Sequence, residues 1–299
     1  MPESVRHLYR QAWRAAVWGI VANALLGALK LAAGLLGNSI ALISDAVNSW
    51  GDAAASVVAA STLWYSQKPA DRAHPYGHMR AEAIGALTVS VLIIVAAFSV
   101  GWQSFGALTN HGPIPPLWIL GVAAANTIAK EALFRYSYRV GCRTGSFTLI
   151  ANAWDHRADA LCSLGALLGL TAAYLGGPAW AWADGAAGIC IAAIVMASGV
   201  RLYLESASNL MDRQADVGLV EQVRNAAQRV PGVEQVEKLW VRSAGLEYFV
   251  DIHVQVDPAA SVEQGHTIGH QVKHALESEF ARVREVLVHL EPCRPLPPV

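Results

Sequence analysis

The chain has 299 residues, of which 54% are hydrophobic and only 15% charged, and its net charge is -1. A soluble protein carries about 25% charged residues, so the chain as a whole does not read as soluble, and its near-neutral charge gives no basis for a nucleic-acid partner. The four cysteines, Cys142, Cys162, Cys190 and Cys293, form no close pair, which excludes a disulfide framework and a zinc knuckle.

A helix needs roughly 20 mostly apolar residues to cross a bilayer. Six stretches qualify: Ala15–Leu36, Ile40–Trp64, Ala83–Leu108, Leu117–Phe134, Phe147–Leu175 and Trp180–Leu204. The first lacks a small-residue cleavage pattern and reads as a retained helix. Basic residues mark the cytoplasmic side of a membrane protein. Here Arg6, Arg10 and Arg14 lie in the N-terminal tail, Lys68, Arg72 and Arg80 in the second loop, and Arg139 and Arg143 in the fourth. The loops near Gly37, Gly112 and Gly177 hold neither Lys nor Arg. This alternation predicts six spans with both termini in the cytoplasm.

The spans define a transport domain over residues 1–212. Residues 213–299 read as a small cytoplasmic α/β domain of order α-β-β-α-β. Gly218–Val230 is helical up to the Pro231–Gly232 stop. Val236–Arg242 and Glu247–Val256 alternate as strands do. Val262–Phe280 is a second helix behind Ser261, and Val283–Leu290 a last strand. About 80 residues is near the lower limit for a self-sufficient core, so the domain is expected to dimerise.

The second and fifth spans contain charged residues. Asn48 and Asp52 are four apart on one, and Asp155 and Asp159 four apart on the other, so each pair shares a helix face. A charge within a span costs about 2.5–3.5 kcal/mol on insertion scales, so these groups must face water, a positive partner or a cation. Arg157 projects from another side of its helix. Two facing oxygen pairs would form a four-ligand cation site. Asp45 and Asp184 are candidates for the outer path. Lys130 and Glu131 are read as an ion pair or interface anchor near the cytoplasmic end of the fourth span.

Two further clusters contain imidazoles. In the second loop Asp71, His74 and His78 combine a carboxylate with two imidazoles, a donor set suited to a borderline transition metal; solvated loop residues are the alternative. In the tail, His253, His266, His289 and Glu291 are candidates for metal binding, and His270 and His274 extend a histidine stripe on the second tail helix.

From about Trp13 to Pro292 the chain resembles the cation diffusion facilitator family. The matching stretches, in order, are ISDAVNSWGD, HPYGHMRAEAIGAL, ANAWDHRADALCSLGALLG and VHLEP. The resemblance implies a homodimer with six transmembrane helices and a metallochaperone-like cytoplasmic domain. It implies export of divalent metals, commonly in exchange for protons, and no enzyme activity or prosthetic group. It assigns Asn48, Asp52, Asp155 and Asp159 to the transport site, Asp71, His74 and His78 to a loop site, and His253, His266, His289 and Glu291 to a site at the dimer interface. Zinc-transporting members usually have His or Asp at the position of Asn48 and His at that of Asp155. Oxygen-only ligands suit harder ions, and the pairing here resembles that of manganese and iron exporters, so Mn²⁺ or Fe²⁺ is expected over Zn²⁺. His156, beside Asp155, keeps zinc open. A bacterial inner membrane is the expected location. The rival readings are a non-transporting membrane metal sensor or scaffold, and an intramembrane hydrolase, for which neither HExxH nor a nucleophile elbow is present.

Overall fold

The computed structural model describes residues 3–36, 40–109, 118–176 and 182–293. Six long helices come first: α1 (Glu3–Leu36), α2 (Ile40–Tyr65), α3 (Ala81–Thr109), α4 (Trp118–Thr144), α5 (Phe147–Gly176) and α6 (Trp182–Leu210). They are followed by α7 (Val217–Gln228), β1 (Gln235–Ala244), β2 (Glu247–Val256), α8 (Val262–Glu279) and β3 (Val283–Pro292). The chain divides into two compact units, Tyr9–Ala207 and Ser208–Val299 with Met1–Leu8.

Several helices outrun the sequence expectation. α1 starts twelve residues before Ala15 and α4 continues ten beyond Phe134. The apolar window reports the part of a helix suited to lipid, whereas Arg, Lys, Gln and Glu are good helix formers that extend it. Among the described residues, three segments are long and apolar enough to cross a membrane: Val5–Ala32, Ala81–Gly106 and Gly188–Leu210. The helices α2, α4 and α5 contain Asp52, Lys130, Asp155 and Asp159.

Small residues bring these helices together. Ala55, Ala59, Ala86, Ala97, Ala151, Ala160 and Ala192 are all buried, the composition by which membrane helices pack when water supplies no hydrophobic drive between them. At Gly85 the backbone of α3 lies so close to α2 that a Cβ would collide with the Thr62 side chain. Large apolar side chains point outward instead: Leu29, Phe98, Trp102, Phe105 and Ile128 are all more than 60% exposed. An exposed apolar belt of this kind fits lipid rather than water.

The α4–α5 hairpin sets the relative depth of the side chains on its two arms. Gly145, at φ 73°, makes the turn, and its N–H bonds the Gly141 carbonyl at 2.8 Å. Ser146 Oγ then accepts the Leu149 N–H and opens α5. Residues equally far from Gly145 on the two arms therefore stand at one level.

In the tail unit the strands lie in the order β1-β2-β3, with β1 antiparallel and β3 parallel to β2. Val250, Ile252 and Val254 of β2 face α7 and α8 and bury a core with Val223, Val272 and Leu276. Ser261 and Gln264 form a capping box at the start of α8. The order and boundaries follow the sequence expectation to within a few residues, because period-two alternation and caps are local signals.

Candidate metal centre

The central cavity measures about 560 Å³ and is lined by all six long helices. α2 contributes Ser49 and Asp52, α4 Asn126 and Lys130, and α5 Asp155, Asp159 and Ser163; α1 adds Lys30, α3 Gln103 and α6 Ala192. Asp52 and Asp155 are buried, and Asp159 nearly so. Asp155 and Asp159 lie one turn apart on one face of α5, and with His156 they offer ligand atoms within 4.8 Å of one another. The Oδ2 of Asp155 is buried and accepts no hydrogen bond among the described residues.

One group in this cavity is new relative to the sequence reading. Lys130 Nζ donates to Asp52 Oδ2 at 2.7 Å and to Asp159 Oδ2 at 2.8 Å. The α2 and α5 carboxylates therefore point at one another and share a single cationic atom. Unit charges about 4 Å apart attract by about 4 kcal/mol at an effective dielectric of 20, so the ammonium is a strong local counter-charge. The expected ion pair at Lys130 is present, but with Asp52 and Asp159 rather than Glu131, and in the middle of α4 rather than near its end. Lys130 and Asp159 stand almost equally far in sequence from Gly145, which puts them level in the hairpin. One turn further from Gly145 along both arms, Asn126 Nδ2 bonds Ser163 Oγ at 2.8 Å. Counting from the glycine turn would have found this; the proximity of Glu131 obscured it. Glu131 pairs instead with Arg135, and the Arg157 guanidinium lies over the rings of Phe134 and Trp154 rather than on a carboxylate.

On the side of the cavity nearer the α4–α5 turn, a polar layer joins α1, α2 and α5. Ser56 Oγ donates to Asn152 Oδ1 at 3.0 Å, Asn152 Nδ2 lies 3.4 Å from His156 Nε2, and Gly19 of α1 packs against all three side chains. Asn48 belongs to α2, four residues before Asp52, but its side chain lies outside those the structure describes, as do those of Asp45 and Asp184.

The loop between α2 and α3 brings Asp71, His74 and His78 together. Asp71 Oδ1 is 3.4 Å from His74 Nδ1, and Oδ2 is 3.4 Å from His78 Nε2. Asp71 Oδ1 also accepts the backbone N–H groups of His74 and Ala73. The His74 amide bond, foremost, holds the Asp71 carboxyl below the usual aspartate range. His78 is fixed from its other nitrogen, 3.2 Å from the Pro69 carbonyl, an arrangement that orients a ring for ligation.

In the tail, His253 and His289 are neighbours across the parallel β2–β3 ladder, with ring centroids 4.7 Å apart. His253 Nδ1 lies 2.6 Å and His289 Nε2 3.6 Å from Glu291 Oε1. These three form a cluster, and His266 is not part of it. His253 alternates with Val250, Ile252 and Val254, so it projects from the sheet face away from the helices. His266 is on α8, across the sheet, where its ring meets that of His270. Within one chain the sheet separates His266 from the other three.

Residues 16–211 match the cation efflux transmembrane domain, and residues 216–293 the cytoplasmic domain of cation efflux proteins. The chain belongs to the cation efflux, or cation diffusion facilitator, family. It is an integral membrane cation efflux transporter and not an enzyme. Similar proteins include metal tolerance protein 2 of Oryza sativa subsp. japonica, 32% identical over 93% of this chain and 78% of that protein. The manganese efflux system protein MneP of Bacillus subtilis is 28% identical, over 93% of this chain and 95% of that protein. The magnetosome protein MamB of Paramagnetospirillum magneticum is 29% identical, over 92% of each. Among solved structures, the cadmium form of a MamM C-terminal domain variant is 31% identical over 26% of this chain and 98% of that one, with a TM-score of 0.26.

Proposed function

We propose that this protein exports Mn²⁺ or Fe²⁺ from the cytoplasm in exchange for protons, through a site made by Asn48, Asp52, Asp155 and Asp159. The observation that carries the proposal is the convergence of Asp52 and Asp159 on one cation in a buried cavity. Acidic groups from two helices meet there, an arrangement that lipid cannot satisfy. The donor set is oxygen-rich, which suits harder divalent ions, and relatives named as manganese efflux proteins span nearly the whole chain. Export of Zn²⁺ is the second reading, supported by the proximity of His156 to Asp155 and Asp159.

In this reading all six long helices span the membrane, with the basic loops and both termini in the cytoplasm. The α4–α5 turn is then cytoplasmic, and the cavity occupies the outer half of the bundle, above the polar layer of Ser56, Asn152 and His156. Transport is alternating access. From the cytoplasmic side the site takes a metal and sheds protons, because ligands bind deprotonated. From the outer side, protons return to the carboxylates and the metal leaves. The tail domain pairs two chains, and metal at the tail cluster, with His266 as a fourth candidate ligand, favours that pairing. The loop cluster of Asp71, His74 and His78 is a second cytoplasmic metal site. The bilayer is proposed to be a bacterial inner membrane.

The test is uptake into liposomes containing the purified protein, comparing Mn²⁺, Fe²⁺, Zn²⁺ and Co²⁺ with and without a pH gradient. Mn²⁺ and Fe²⁺ are expected to lead, with acceleration by an opposing proton gradient. A Zn²⁺ lead would favour the second reading, and no uptake of any metal would favour a sensor or scaffold.

A further inference from the structure

Transport by four oxygen ligands leaves Lys130 without a role, yet this side chain is 1% exposed and lies at the centre of the site. Its ammonium bonds one oxygen from α2 and one from α5 at 2.7 and 2.8 Å. Oxygen ligands hold divalent ions at about 2.0–2.6 Å. An ion bridging the same two oxygens would therefore sit almost where Nζ sits. The ammonium and the metal exclude one another by space as well as by charge.

The pair is not needed to hold α4 against α5. Asn126 and Ser163 join the same two helices one turn away, and Phe134 packs against Trp154 on the other side of Lys130. The lysine also has somewhere to go. Its four-carbon stem borders a cavity of about 560 Å³ in which Ser99, Gln103, Asn126 and Ser163 offer oxygen acceptors. Asp155, in the same cavity, keeps a buried oxygen without a hydrogen bond among the described residues.

We propose that Lys130 is a tethered counter-cation of the transport site: it occupies the site between ions, and an arriving metal displaces its ammonium from Asp52 and Asp159 into the cavity. The return of the ammonium then helps to expel the metal. A site that must release its ion needs binding that is not too tight, and a competitor built into the wall supplies this. It also keeps the two carboxylates from repelling one another while the site is empty. This inference rests on the transport site proposed above and adds to it a residue that sets affinity and release.

The experiment compares the full-length wild-type protein with Lys130→Met and Lys130→Arg, using Mn²⁺ as the probe. Binding is measured on the purified protein and uptake in liposomes. Lys130→Met removes the charge at similar length, so Mn²⁺ affinity should rise by about ten-fold or more, while maximal uptake falls. Lys130→Arg keeps a cation and should bind Mn²⁺ more weakly than Lys130→Met does. A Lys130→Met protein with unchanged or weaker affinity overturns the proposal. Should that variant fail to fold, the wild-type protein provides the second measurement. Mn²⁺ should raise the labelling of Lys130 by a water-soluble amine reagent, scored by mass spectrometry against Lys30; unchanged or reduced labelling also overturns it. Asp159→Ala is carried alongside. If wild type binds Mn²⁺ and Asp159→Ala does not, a negative result at Lys130 removes only the counter-cation. If wild type binds none, both the site and the counter-cation fall.

Discussion

The helical unit and the tail unit are built by opposite rules. The tail buries a core of branched aliphatics between a sheet and two helices and keeps most of its charged and imidazole groups at the surface, with Glu247, paired to Arg284, buried. The helical unit does the reverse. Many of its large apolar side chains face outward, and its interior combines alanine, serine and glycine and a few larger side chains such as Leu63, Ile93 and Leu149 with Lys130, Asp52, Asp155 and His156. The difference follows from the solvent. Water makes apolar burial favourable, whereas lipid rewards close packing and the sequestration of polar groups. A buried charge cluster is thus the exception in the tail and the centre of the helical unit.

Variants should divide along the same line. The largest effect is expected from Asp52→Ala, which removes the α2 carboxylate and should lower Mn²⁺ uptake by about a hundred-fold or more with the dimer still intact by size. Comparable loss from a tail carboxylate such as Glu285→Ala would erase the distinction between the units. Next, Asn48→His should shift preference toward Zn²⁺ by about ten-fold, since imidazole suits zinc better than amide oxygen does; competition uptake with both metals measures it.

A packing change sharpens the comparison. Gly85→Ala should destabilise the helical unit by about 1–3 kcal/mol through overpacking against Thr62. Thr62→Ala in the same chain should restore only part of that loss, because it removes the Oγ1 and Cγ2 collisions but leaves the Cβ of residue 62 at 2.7 Å from the new one. Thermal unfolding in detergent, followed for both units, should show the tail unaffected. In the tail, His253→Ala or Glu291→Ala should weaken metal binding by about ten-fold, as loss of a ligand or of its orienting partner does. His266→Ala should change it less than either, because the sheet lies between His266 and the cluster; titration of the full chain with the membrane site disabled reads this.

The smallest effect concerns Asp71. Its folded carboxyl is held below the ordinary value by the His74 and Ala73 amides. A depressed carboxylate contributes its full stabilisation above the unfolded value, about 3.9 for aspartate, and loses it as pH falls through the folded value. Exchange of the Ala73 and His74 amides, corrected for intrinsic rates and compared at a single pH above the aspartate range, should quicken in Asp71→Ala.

Legibility also differed between the units. The tail was read to within a few residues because Ser261, Pro231 and the alternation from Glu247 to Val256 are local signals. The carboxylates of α2 and α5 were legible because charges in apolar runs are conspicuous. Lys130 was misplaced because Glu131, Arg135 and Arg139 made the end of α4 look like an interface, and the hydrophobic window ended the helix at Phe134. Its level beside Asp159 can be counted from the turn at Gly145, but its pairing with Asp52 depends on the packing of three helices, which no local pattern encodes. His266 was grouped with His253 by residue type, although helix and strand put them on opposite sides of a sheet.

The central claim is that Asp52 and Asp159 serve a single ion. A double-substitution cycle of Asp52→Asn and Asp159→Asn measures this directly, read as Mn²⁺ stoichiometry and affinity with the loop and tail histidines replaced. Sharing predicts that either substitution alone removes the bound ion and that the pair together does no further harm. If each single variant retained its own ion, or the two losses simply added, the carboxylates would belong to separate sites and the account would be wrong.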